Sequence, residues 1–265
     1  MNRSNFAINK TKIFFKMKSF FILFFLNFLF IHTIFSDLTW QLPAQDVGPS
    51  DDDTTSYDIA TNASGSNVYF VWATNLATTL IQTTTSNDFG VTFNTTPITI
   101  SSEIGSLPQI VTDYSGKYVY ISYQFDPGAN QDRVLFSRSI DFGQTYTLGG
   151  SQKTLSSPVT ANPKITTNTN GQYVYVVWET TAPVVVEFTR SIDFGENWPA
   201  PASAITLSDT TSLGNLQIAT SDSGQYINVL WSGFKSPATV RQVQTSRSED
   251  FGQTWTAFVD IPNLS

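Results

Sequence analysis

The 265-residue chain has no cysteine and a single histidine, His32. The first absence excludes disulfides, thiol chemistry and cysteine-ligated metals. His32 lies in an N-terminal segment that reads as a leader. The remainder is therefore without a histidine general base, a Ser-His-Asp triad or a histidine-ligated zinc. Charge is scarce: 13% of residues are charged, 14 basic against 21 acidic, for a net −7. No basic patch could neutralise phosphates, which argues against nucleic acid and anionic lipid surfaces as partners. A convincing helical period is missing beyond the leader. Nothing in the composition implies a cofactor.

The first 36 residues stand apart. They hold Arg3, Lys10, Lys12, Lys16 and Lys18, no acid, and an apolar run at 20–31 broken only by Asn27. A basic start, a short apolar middle and a polar exit at Ser36-Asp37 describe a secretory signal peptide. The run is short for a membrane-crossing helix, which takes about 20 residues, so an uncleaved anchor is the lesser expectation. Met17-Lys18, directly before the apolar run, is a better-proportioned start than Met1. The expected exported domain is 37–265. It keeps nine basic against 21 acidic residues, a net charge of −12.

What the chain does have is repetition. The phrase Ser86-Asn-Asp-Phe-Gly-Val-Thr-Phe93 returns as Ser139-Ile-Asp-Phe-Gly-Gln-Thr-Tyr146, Ser191-Ile-Asp-Phe-Gly-Glu-Asn-Trp198 and Ser248-Glu-Asp-Phe-Gly-Gln-Thr-Trp255. Its aspartates, Asp88, Asp141, Asp193 and Asp250, are 53, 52 and 57 residues apart. A fixed period of this size is the signature of a repeat architecture.

A second phrase precedes each copy: a turn with Gly65, Gly116, Gly171 or Gly224, then a Val/Ile/Tyr-rich run ending in Trp72, Tyr123, Trp178 or Trp231. Glycine tolerates the positive φ of such turns, and the run has strand composition. A shorter strand lies before each turn, one leads into the aspartate phrase and one follows it. Each unit is thus four strands, a to d. The fold class is all-β, a β-propeller of four four-stranded blades at about 53–103, 104–158, 159–211 and 212–265. A closed ring is the first expectation, and an open arc completed by another chain, such as a homodimer, the second. Leu38-Thr-Trp-Gln-Leu42 resembles a leftover fourth strand.

The aspartate phrase resembles the Asp-box (BNR) repeat of the sialidase-like propellers, over essentially all of 53–265. Family members usually have six blades, and this chain has four complete units. The four aspartates read as turn-fixing rather than catalytic, because Asp and Ser side chains can bond nearby backbone N–H groups.

In an up-and-down blade the a–b turns and aspartate phrases share one end, and the b–c loops share the other with the d–a crossovers. The variable b–c loops, at 73–79, 124–132, 179–183 and 232–238, are where a site is expected. They carry Asp126, Asn130, Asp132, Glu179 and Lys235. The a strands add one polar residue per blade at an equivalent position, Asp58, Gln109, Lys164 and Gln217, as candidates to line the central channel. The repeated aromatics at 72, 123, 178 and 231 read as blade-to-blade packing. Asp46 and Asp51-Asp52-Asp53 are dense enough to suggest calcium but lack the spaced ligands of a calcium loop, so no metal is expected.

The resemblance implies a testable hydrolase. Such enzymes use an arginine triad, a tyrosine nucleophile with a glutamate partner and an aspartate acid/base. The usual Phe/Tyr-Arg-Ile-Pro motif is absent here. Arg138, Arg190 and Arg247 share one repeat position beside the turns, leaving Arg133 and Arg241, one short of a triad. Glu179 is the catalytic candidate that this resemblance leaves. The expectation is an exported, non-catalytic module that binds a glycan or extracellular protein through the b–c loop face. The alternatives are a sialidase-type glycoside hydrolase and a self-assembling surface protein.

Overall fold

A computed structural model describes residues 56–74, 79–102, 104–128, 131–148, 151–158, 160–209, 213–234 and 241–261. All belong to the second of two compact units, Val47–Ser265. The leader, Leu38 to Leu42, the Asp46 and Asp51-Asp52-Asp53 cluster, Asn130 and Lys235 lie outside the described residues.

Sixteen strands form four antiparallel sheets, each with its strands side by side in chain order. The first sheet is β1 (Ser56–Thr61), β2 (Val68–Ala73), β3 (Ile81–Ser86) and β4 (Ile98–Thr99). The second is β5 (Gly105–Thr112), β6 (Val119–Phe125), β7 (Arg133–Ser139) and β8 (Lys153–Thr154). The third is β9 (Thr160–Thr167), β10 (Val174–Thr180), β11 (Val186–Ser191) and β12 (Ile205–Thr206). The fourth is β13 (Leu213–Thr220), β14 (Ile227–Gly233), β15 (Gln242–Ser248) and β16 (Val259–Asp260). The outermost strands are two residues long.

Side chains alternate across each second strand, so in β6 and β10 one face meets the preceding sheet and the other the following one. Tyr69, Val71 and Ala73 pack against Val119, Ile121 and Tyr123. Tyr120 packs against Val174, Val176 and Trp178, and Tyr175 and Val177 pack against Ile227, Val229 and Trp231. Tyr123, Trp178 and Trp231 thus pack between blades, as expected, whereas Trp72 is buried but belongs to none of these three clusters. Trp178 Nε1 and Trp231 Nε1 donate to Glu187 and Gln244 at 2.9 and 2.8 Å, which meets the polar atom that each burial would otherwise strand.

The same few tethers recur at successive junctions. Tyr69, Tyr120 and Tyr175 donate their hydroxyls to the carbonyls of Gly116, Gly171 and Gly224, the turn glycines of the next sheet, at 2.6, 2.6 and 2.8 Å. Burial pushes all three phenols well above their ordinary range, so they remain donors. The a–b turns also bond one another: Ala63 N–H to Tyr114 O, Tyr114 N–H to Thr169 O, and Thr169 N–H to Asp222 O, at 3.1, 2.8 and 3.0 Å. The four turns line one depression of about 250 Å³ that includes Thr61, Thr112, Thr167 and Thr220, so the inner strands surround a common axis.

Three junctions join four blades, and the described residues form no fourth junction between the last blade and the first. Over the described residues the four blades therefore make an open arc, the second expectation, rather than the closed ring expected first. The fourth blade shows why. Where the other blades have a tethering tyrosine it has Asn228, which is exposed, and the turn-to-turn ladder ends at Asp222. Leu230 and Val243 on the same outer face are exposed as well, so no described neighbour covers it.

Candidate functional site

The aspartate phrases build one turn four times. In the first copy the Ser86 hydroxyl donates to Asp88 Oδ1 at 2.7 Å and accepts the Gly90 N–H at 3.0 Å. Asp88 then accepts the Thr92 N–H at 2.8 Å and the Thr92 hydroxyl at 2.6 Å. Asp141 and Asp250 repeat this with Thr145 and Thr254, and Asp193 does so with Asn197. The sequence points to the glycine as the special residue, but the phenylalanine before it is left-handed too: φ is 64°, 61°, 62° and 62° at Phe89, Phe142, Phe194 and Phe251. Thr92 and Thr254 bonds hold Asp88 and Asp250 down at about 2. At Asp141 and Asp193 partial burial opposes ionisation, but the bonds from the turn outweigh it and both sit below the usual carboxylate range.

Each phrase is pinned to the neighbouring a–b turn. Phe89, Phe142, Phe194 and Phe251 N–H groups donate to Ser66, Lys117, Gln172 and Gln225 carbonyls at 2.9–3.1 Å. The a–b turns and the phrases therefore share one end. At the other end Gly105 N–H bonds Thr79 O and Asp126 N–H bonds Ile104 O, joining b–c loops to d–a crossovers.

On the loop side of the axis, four of the sequence candidates come together across three blades. Asp58 Oδ2 accepts the Ile110 N–H at 2.9 Å and its Oδ1 accepts the Ile59 N–H at 2.9 Å. Lys164 Nζ donates to Gln109 Oε1 at 3.0 Å. Burial lowers the Lys164 ammonium from its ordinary value, while the Asp58 and Glu179 carboxylates act the other way. Glu179 is half-buried; its burial raises it, against an Asn162 hydrogen bond and the nearby charges of Arg241 and Lys164. Asn162 Nδ2 reaches Glu179 Oε1 at 3.5 Å.

Asn162 escaped the sequence reading. It sits at φ 60° in a bulge that interrupts the pairing of β9 with β10. Leu107 and Asn215 occupy matching bulges in β5 and β13, at φ 50° and 54°. Bulges re-aim side chains beside functional sites. The available signal was the proline directly before Gln109 and Lys164, Pro108 and Pro163, which the structure places inside β5 and β9. Arg241 stands over the Phe234 ring, 5.4 Å from its centroid.

The remaining candidates do not join this cluster. Gln217 is exposed. Asp126 and Asp132 pair with each other in the second blade's loop, where burial first and the Asp126 charge second raise Asp132. Gln124 Nε2 donates to Asp132 at 3.0 Å. The arginines are dispersed. Arg138 and Arg190 donate to the Phe194 and Phe251 carbonyls at the turn end, and Arg247 pairs with Glu249 at 2.8 Å. Arg133 lies in a cavity of about 240 Å³ between the first two blades, with Phe125 and Gln152. Among the described residues no group of three or more His, Cys, Asp or Glu is placed to hold a metal.

No family model matches the sequence, and no curated protein does. Solved structures do match in fold. A Hadza microbial sialidase superposes with a TM-score of 0.52 at 14% identity, over 84% of this chain and 50% of that one. The NanB sialidase from Streptococcus pneumoniae gives 0.56 at 12% identity, over 87% and 56%. The GH93 α-L-arabinofuranosidase of Fusarium graminearum gives 0.52 at 13% identity, over 81% and 69%. The chain thus spans about half the length of the sialidases it resembles. At these identities the likeness is one of fold: this chain has the propeller-like, all-β architecture found in those glycoside hydrolases.

Proposed function

We propose that the chain is an exported, sialidase-like Asp-box propeller module that binds a glycan at its b–c loop face without hydrolysing it. The observation that carries this is the convergence of Asp58, Gln109, Lys164 and Glu179 from three blades on one channel wall. Both signs of charge and amide groups meet there on rigid strands, a donor and acceptor set suited to sugar hydroxyls and ring substituents. The fold neighbours are glycan-processing enzymes by name, which supports a glycan over a protein ligand by analogy of fold alone. The non-catalytic part is supported by the employment of the arginines: Arg138, Arg190 and Arg247 serve the turn end. The shifted tyrosines Tyr69, Tyr120 and Tyr175 are committed donors to backbone carbonyls rather than partners of a glutamate.

The second reading, a glycoside hydrolase, is favoured by one feature. Glu179 is raised by burial, which is what a general acid requires. One experiment separates the two: a glycan array and a panel of fluorogenic glycosides, run on the parent, Lys164→Gln and Glu179→Gln. The binding reading expects array signal that both substitutions remove, with no turnover by any of the three. Turnover abolished by Glu179→Gln establishes the hydrolase instead. A signal indifferent to both substitutions, or specific to a protein ligand, moves the site away from this wall.

Export follows the leader reading. An N-terminal sequence of the protein recovered from culture medium, beginning near Asp37, is the expected check. Recovery only in membranes with the leader intact favours the anchor.

A further inference from the structure

The repeat allows each junction to be compared with the others, and the first one is built differently at the turn end. At the second junction the Tyr118 ring stacks on Phe194, with centroids 4.7 Å apart and planes at 28°, and Arg138 donates to the Phe194 carbonyl at 2.9 Å. At the third junction Tyr173 stacks on Phe251 at 4.7 Å and 29°, and Arg190 donates to the Phe251 carbonyl. The equivalent residues of the first blade are Asn67 and Thr85, and the equivalent platform is Phe142. With no tyrosine ring and no guanidinium to cover it, Phe142 is 42% exposed. No side chain among the described residues donates to its carbonyl.

The space those two groups would fill is a cavity of about 550 Å³, walled by Asn67, Thr85, Asn87, Asn94, Phe142 and Gln144 among others. That volume lies within the range of small-molecule sites, roughly 300–1,000 Å³. None of its lining residues carries a charge. The walls are ordered by their own bonds: Asn67 Oδ1 accepts from Asn62 Nδ2 at 3.1 Å, and Asn94 Nδ2 donates to Thr85 Oγ1 at 3.0 Å.

We propose that this cavity is a second binding site, at the turn end and remote from Glu179, and that it takes an uncharged pyranose unit of a glycan. The ligand presents a flat C–H face to the Phe142 ring, as the tyrosine ring does at the other junctions. Its hydroxyls replace the missing guanidinium as donors to the Phe142 carbonyl, and the Asn, Gln and Thr side chains around it supply both donors and acceptors. The absence of charge in the wall selects against acidic sugars, whose carboxylate would be desolvated there without a partner.

The test uses the repeat's own solution as a plug. Asn67→Tyr with Thr85→Arg restores the tether found at the other two junctions. Phe142→Ala removes the platform. Saturation-transfer NMR is run on the parent and both variants in a Glu179→Gln background that silences the loop face, with neutral gluco-, galacto-, manno-, xylo- and arabino-oligosaccharides as probes and N-acetyl-tyrosinamide as the competing aromatic occupant. The expected result is transfer to at least one neutral oligosaccharide by the parent, lost in both variants, with the plugged variant melting at or above the parent temperature. Transfer to none of the sugars, transfer that survives the plug, or transfer to the tyrosine amide alone overturns the proposal. Because the cavity is at the opposite end from Lys164 and Glu179, failure here leaves the loop-face reading untouched.

Discussion

The two ends of the arc are made of similar residues put to different use. At the turn end, Asp141 and Asp193 are locked in turns by Ser, Thr and Asn donors, which hold them below the usual carboxylate range against partial burial. At the loop end, Glu179 has one long hydrogen bond and is raised by burial. A carboxylate whose bonds are all satisfied by its own turn contributes to folding and has little left to offer a ligand. One held beside a channel with its bonding unmet is costly to the fold and available for function.

The largest effect that sharpens this contrast is expected at a turn glycine. Gly195 has φ +74°, and a Cβ there would lie 2.7 Å from the Phe136 ring. Gly195→Ala combines left-handed strain with overpacking and should cost about 2–5 kcal/mol. Gly65 has the same φ but nothing within 4 Å, so Gly65→Ala should cost only about 1–2 kcal/mol. Equal losses in urea melts would remove the packing role given to the phrase.

Next in size, Asp141→Ala and Asp193→Ala should each cost about 1–3 kcal/mol, because a turn donor is left unmet. Parental melting of either would show that the carboxylates do not hold the turns. Tyr175→Phe, which strands the Gly224 carbonyl, should cost about 1–2 kcal/mol, whereas Asn228→Ala on the outer face of the last blade should change almost nothing.

The pH dependence has opposite signs at the two ends. The turn carboxyls are depressed, to about 2 at Asp88 and Asp250 against 3.8 unfolded. Their contribution is present above pH 4 and is lost as the pH falls from about 4 to about 2. Glu179 is raised above its ordinary 4.5. The cost of its burial therefore grows as the pH rises above the unfolded value of 4.5 and is full above the folded one. Glu179→Gln should melt slightly above the parent at pH 7, and the gain should vanish near pH 4. A gain at pH 4 instead would reverse the assignment.

The architecture was legible because four copies of one turn at a regular spacing leave few alternatives, and the strand composition around Trp72, Tyr123, Trp178 and Trp231 fixed the blade faces. Arc against ring was harder. It depends on whether one blade's turn bonds the first, and the sequence marks this only by Asn228 standing where Tyr69, Tyr120 and Tyr175 stand elsewhere. The channel candidates were found by their position in the repeat, since Asp58, Gln109 and Lys164 differ in type at one equivalent site. Glu179 was found by its place after Trp178. Asn162 was not found, because its role comes from a bulge that tilts a single residue out of register. The first-junction cavity was also missed, although Asn67 and Thr85 break the Tyr and Arg pattern in plain view. An absent side chain becomes a cavity only when the neighbour it would have covered is known to be Phe142.

The central claim is a division of labour between the two ends, and it is tested most directly by measuring melting temperature and loop-face glycan binding side by side for Asp193→Ala and Glu179→Gln. The account predicts that Asp193→Ala melts lower and keeps the parental glycan profile, while Glu179→Gln melts at or above the parent and loses it. An Asp193→Ala protein that melts like the parent but no longer binds would contradict it.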